Sequence, residues 1–110
     1  MNFWTKLTSY PYINYNSASH YPDRYIGQNC YFVGNVLQTI PGANVTQYRM
    51  NIDRQPGVVI VTINNNDKTI DPVDGASLRV YGEYGGNRTY QTTWGTSTTM
   101  LTVIAHEMTY

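Results

Sequence analysis

Few residues in this chain are of a type and spacing that carry covalent chemistry. The two histidines, His20 and His106, stand far apart and in no metal-binding spacing. The single cysteine, Cys30, shares strand parity with Phe32 and Val36, which reads as a small core residue rather than a nucleophile. No glycine-rich phosphate loop, nucleophile elbow or zinc motif occurs. The expectation is therefore a protein that is not an enzyme, with no catalytic residues, no cofactor and no metal. Asp67, Asp71 and Asp74, beside Asn64 to Asn66, offer hard oxygen ligands of the kind calcium takes. Their spacing fits no EF-hand, and the segment reads as a solvated turn.

Binding chemistry is better represented. The chain has eleven tyrosines and two tryptophans, and its seven basic residues balance seven acidic ones. Aromatic faces flanked by cations are what single-stranded nucleic acid needs for stacking and backbone attraction. Tyr81, Tyr84, Tyr90 and Trp94 supply such faces, and Arg49 and Arg88 supply charge, with Asn51 beside them as an amide. These seven residues are the candidate ligand contacts. Zero net charge opposes a phosphate-gripping role, because counterion release rewards a basic excess. Asp53 and Glu83 lie on the same outward parities as the arginines, so the neutrality is local as well as global. Protein or glycan interaction ranks first, with single-stranded nucleic acid as the alternative.

The elements that must position these residues follow from periodicity. A chain of 110 residues makes one domain. Residues 1–16 show neither period and form an arm that packs through Phe3, Trp4, Tyr10 and Tyr12 or stays mobile. Ser17 to Tyr25 holds at most two short helical turns, capped by Asn16 or Ser17 and closed by Gly27. A long strand over 28–39 bends at Gly34, and a second over 45–53 alternates cleanly. After a turn at 54–57 comes the β-branched run 58–63, then a long polar loop over 64–75. A fourth strand spans 78–84, Gly85-Gly86-Asn87 reads as a tight turn, and 88–94 extends again. The last strand runs over 100–108 after a turn at 95–98. The fold class is mainly β: a five-stranded, OB-like Greek-key barrel over 17–110 with a short N-terminal helical segment.

A resemblance supports this class. Tyr21-Pro22-Asp23-Arg24-Tyr25-Ile26-Gly27 followed by Phe32-x-Gly34-x-Val36-Leu37-Gln38 resembles the opening of OB-fold domains in uncharacterised lipoproteins and surface proteins of Gram-positive bacteria. Val80-Tyr81-Gly82-Glu83-Tyr84, with Gly86, Thr89, Tyr90, Thr92, Gly95, Val103 and Ala105, is similar to the closing pattern of the same domains, so the likeness covers residues 17–108. Asn35 stands where those domains commonly have lysine, and Leu101 where they have proline. The resemblance implies the fold and brings no established activity; with no catalytic motif present, the expected role is a non-catalytic binding or accessory module, extracellular or at the cell surface if the parent is secreted and cytoplasmic otherwise. No run of roughly 18 apolar residues is present to span a membrane, and residues 1–15 contain no signal-peptide h-region.

Overall fold

The computed structural model describes residues 9–91 and 93–110, apart from the side chain of Tyr90. Among the described residues its elements include two short helices, α1 (Tyr15–His20) and α2 (Pro22–Tyr25), and five strands: β1 (Asn29–Ile40), β2 (Val45–Ile52), β3 (Gln55–Asn64), β4 (Ser77–Gln91) and β5 (Ser97–Thr109). The strands close into a ring in the order β1-β2-β3-β5-β4. All pairs are antiparallel except β3 with β5, which run parallel through Val59↔Leu101 to Thr62↔Ile104.

Alternation fills the ring. On β2, Thr46, Tyr48, Met50 and Ile52 turn inward while Gln47, Arg49 and Asn51 turn out. Phe32, Val36, Val59, Val61, Val80, Leu101 and Val103 complete an interior that excludes water. Each such side chain contributes about 1.5–3 kcal/mol of burial. Closure requires β1 to change partners along its length. Its first half pairs with β4, Asn29↔Glu83 to Asn35↔Ser77, and its second half with β2. The change falls between Asn35 and Val36, just after Gly34, where a Cβ would sit 1.9 Å from the Asn51 carbonyl oxygen, so only glycine permits the close approach of β2.

Several expected boundaries shift. The helical segment begins earlier, at Tyr15, because the Asn14 side chain accepts from the Ser17 N–H at 2.9 Å and caps it. Pro22 then opens a second helix at its first position. The turn before β3 is shorter than expected: Arg54, at φ 62°, reverses the chain, and Gln55 and Pro56 already belong to the strand. Gly85-Gly86-Asn87 is no turn. It lies within one continuous β4, where the register slips between Tyr84 and Gly86, and Gly86 adopts φ 104°. The Thr102 hydroxyl donates to the Gly86 carbonyl at 2.8 Å across this bulge.

The N-terminal arm is part of the fold from Tyr10 onward; Phe3 and Trp4 lie outside the described residues. Between the first half of β1 and the start of β3 no strand ladder runs, and the arm occupies this seam. Tyr31 donates its N–H to Pro11 and accepts from Ile13, both at 2.9 Å, in a parallel bridge centred on Tyr12. On the far side the Gln55 amide donates to the Ile13 carbonyl and accepts from the Tyr15 N–H, at 2.9 and 2.7 Å. Ile13 enters the core. The 65–76 loop closes the opposite end of the ring with Ile70 packed on the core and Pro72 buried.

Candidate functional site

Four of the seven candidate contact residues are held in the fold's own interactions or on its groove face. Tyr84 is only 2% exposed, and its hydroxyl donates to the Ala18 carbonyl at 3.1 Å and also meets Asn87 Oδ1. Tyr81 is buried as well, stacked on its cross-strand partner Tyr31 at 5.3 Å and met edge-on by Tyr10 at 5.6 Å. Tyr10 in turn hydrogen-bonds His106 Nδ1 at 3.0 Å. The expectation that these two rings face solvent on β4 thus differs from the structure. Tyr84 continues the inward alternation of Leu78, Val80 and Gly82, and the arm lies over Tyr81. Asn51 stitches β2 to β1, its Oδ1 accepting from the Asn35 N–H at 2.6 Å.

Arg88, Tyr90 and Trp94 belong to a different place. Beyond Tyr84 on β4 and before Leu101 on β5, the two strands pair only with each other, from Asn87↔Leu101 to Gln91↔Ser97. They form a hairpin that projects from the ring. Trp94 stands in its turn, 90% exposed.

Of the seven, Tyr84 borders a small cavity beside the arm and Arg49 lines an open groove. On the outer face of β2 and β3, extending to the end of β1 and the start of β5, lies a groove of about 400 Å³ lined by Ile40, Gln47, Arg49, Val58, Ile60, Thr98 and Met100. Ile60 faces Arg49 directly across the β2–β3 ladder and therefore shares its outward side. Ile60 and Met100 form the floor, at 3% and 8% exposure. Arg49 Nη1 donates to Gln38 Oε1 at 3.3 Å, while its buried Nε has no partner among the described residues. Its lining contains no aromatic ring. Only Arg49 of this lining was singled out from the sequence. Val58 and Ile60 share the outward side of β3 with Thr62, and Met100 lies on the side of β5 opposite Leu101 and Val103.

Cys30 sits inside, beside a smaller cavity of about 200 Å³ between arm, helices and β1. Burial, and then the charge of Glu83, push its thiol up to about 12. A thiol so raised is protonated and unreactive at neutral pH. In the 65–76 loop several of the oxygen-bearing side chains are engaged in the fold's own contacts. Asn65 accepts from Thr46 and donates to Gly42, Asp71 pairs with Lys68 at 2.7 Å, and Asp74 accepts from Thr39. Among the described residues no three His, Cys, Asp or Glu side chains gather as a metal site. No described helix is long and apolar enough to cross a membrane.

Compared with known proteins, the chain matches no family model, and no curated protein sequence is significantly similar to it.

Proposed function

We propose that this chain is a non-catalytic binding module on an OB-type Greek-key barrel, and that its partner is a protein segment laid across the outer face of β2 and β3. The ring order, with β3 parallel to β5, supports the OB reading. The envelope setting rests on the sequence resemblance alone.

The observation that carries the choice of partner is the groove's composition. Bases and sugars are held by aromatic platforms, and this groove has none. Its floor is aliphatic and thioether, which suits the side chains of an extended peptide, and Arg49 suits a carboxylate on that peptide. The burial of Tyr81 and Tyr84 removes two of the faces a nucleic-acid strand would use. What favours the nucleic-acid alternative is the exposed Trp94 on the same hairpin as Arg88.

An NMR amide titration of the full chain separates the readings. The probes are a capped peptide alternating valine and glutamate, an oligothymidylate at low salt and a chito-oligosaccharide. The expected result is peptide-induced shifts at Arg49, Ile60 and Met100, with silence from the other two probes. Shifts confined to the Trp94 hairpin with oligothymidylate establish the alternative. Silence of the groove toward the peptide at about 1 mM, a threshold near 4 kcal/mol of affinity, overturns the proposal.

A further inference from the structure

The molecule carries a knob and a hole that cannot meet within one copy. The knob is Trp94, 90% exposed in the turn of the projecting hairpin. Every residue from Arg88 to Thr98 whose burial is described is exposed, and Arg88 is the single charge between Tyr84 and Ile104. The hole is the groove over Ile60 and Met100, with Ile40 and Val58 at its sides and Arg49 at its edge. It lies at the root of the same hairpin, since Met100 belongs to β5. A strand advances about 3.3 Å per residue, so β5 carries the tip away from its own groove rather than toward it.

We infer that the groove's occupant is the Trp94 hairpin tip of a second copy of this chain, an inference that rests on the groove being a protein-binding surface. Three observations converge on that occupant. A volume of about 400 Å³ admits an indole, and the aliphatic floor lacks the one group, an aromatic anchor, that the tip supplies. The Arg49 guanidinium, held by a single 3.3 Å bond to Gln38 and with its Nε unpartnered among the described residues, borders the indole's path. Indole is the strongest aromatic acceptor for a cation placed over its face. Finally, the chain as a whole is neutral, so no net charge keeps two copies apart. Knob and hole are different patches, so the contact is heterologous and propagates head to tail, into an open chain or a closed ring.

The test is sedimentation of the full chain from about 10 µM to about 1 mM, the range of a contact with one aromatic anchor. Wild type is expected to associate with rising concentration. Trp94→Ala, and separately Ile40→Lys on the exposed groove wall, each weaken association at least about tenfold. Thr98→Lys on the rim repeats the groove result should Ile40→Lys fold poorly. The decisive arm is a mixture: Trp94→Ala keeps a hole and Ile40→Lys keeps a knob, so together they form a one-to-one dimer that cannot grow. A wild type that stays monomeric at 1 mM, variants that associate as wild type does, or a mixture that fails to pair overturns the inference. The valine–glutamate peptide tells its failure from failure of the broader reading. Peptide binding to the groove without self-association removes only the second copy, whereas loss of both removes the groove as a protein site.

Discussion

Raising the pH should destabilise this protein through Cys30, and the size of the effect follows from its surroundings. The thiol is 6% exposed, with Glu83 nearby, and its folded pKa is pushed from 9.0 to about 12. The folded value lies above the unfolded one, so the stability at stake is fully present below pH 9 and is lost as pH climbs toward 12. The unfolded chain releases this proton first and is favoured accordingly. Linkage gives a loss of about 1.4 kcal/mol at pH 10 and about 2 kcal/mol at pH 10.5, with almost none at pH 8. Tyr84, raised to about 12 chiefly by burial, adds its own loss above pH 10. Urea unfolding of wild type and Cys30→Ala between pH 7 and pH 10.5 isolates the cysteine. The variant starts less stable at pH 7 because it leaves a small void, but its alkaline limb is shallower and the two curves converge by about 2 kcal/mol at pH 10.5. Parallel curves would show that Cys30 ionises normally, and the claim that its thiol is shut away from chemistry would fail with them.

Three further substitutions probe how the N-terminal segment is held. Gly57→Ala should destabilise by more than the roughly 1–2 kcal/mol of a left-handed residue, because φ is 96° and the new Cβ lies 2.1 Å from the Tyr15 ring. Adding Tyr15→Ala should recover the clash in urea melts but not the φ cost. Tyr84→Phe should lower stability by about 1–3 kcal/mol at neutral pH, since the Ala18 carbonyl loses its 3.1 Å donor inside the fold; equal midpoints in urea would contradict that bookkeeping.

What the sequence disclosed follows where one physical rule acted alone. The alternation of Tyr48, Met50 and Ile52 against Gln47, Arg49 and Asn51 fixes the faces of β2, and the register reproduces it. Gly34 marks the bend of β1, because a glycine in an apolar strand signals a close backbone neighbour. The reading missed where two rules competed. Gly85-Gly86-Asn87 has turn composition, but a bulge uses the same positive φ, and the sequence does not tell which one pairing across β5 selects. That choice extends β4 into the projecting hairpin, whereas Tyr84 lies inside because it continues the alternation of Leu78, Val80 and Gly82. The groove was hidden for a related reason. An apolar run such as Val58 to Ile63 does not reveal that one of its faces looks outward until its neighbours are known.

The arm shows why a neutral, tyrosine-rich chain suits this architecture. A ring whose first strand changes partners leaves a seam, and here Tyr31 and Val33 direct backbone groups into it rather than toward a strand. The arm satisfies them with the Pro11 carbonyl, the Ile13 N–H and the Tyr12 hydroxyl, which accepts from Val33 at 3.2 Å. Tyrosine serves such a place because one ring buries apolar area while its hydroxyl reaches a polar partner. Tyr12 does so at Val33, Tyr15 at the Thr99 carbonyl and Tyr84 at Ala18. The tyrosines that suggested a stacking surface are, in this part of the molecule, the residues that close the ring. The groove left for a partner is then aliphatic, and an exposed aromatic group outside the seam, Trp94, stands on the hairpin opposite in character to it.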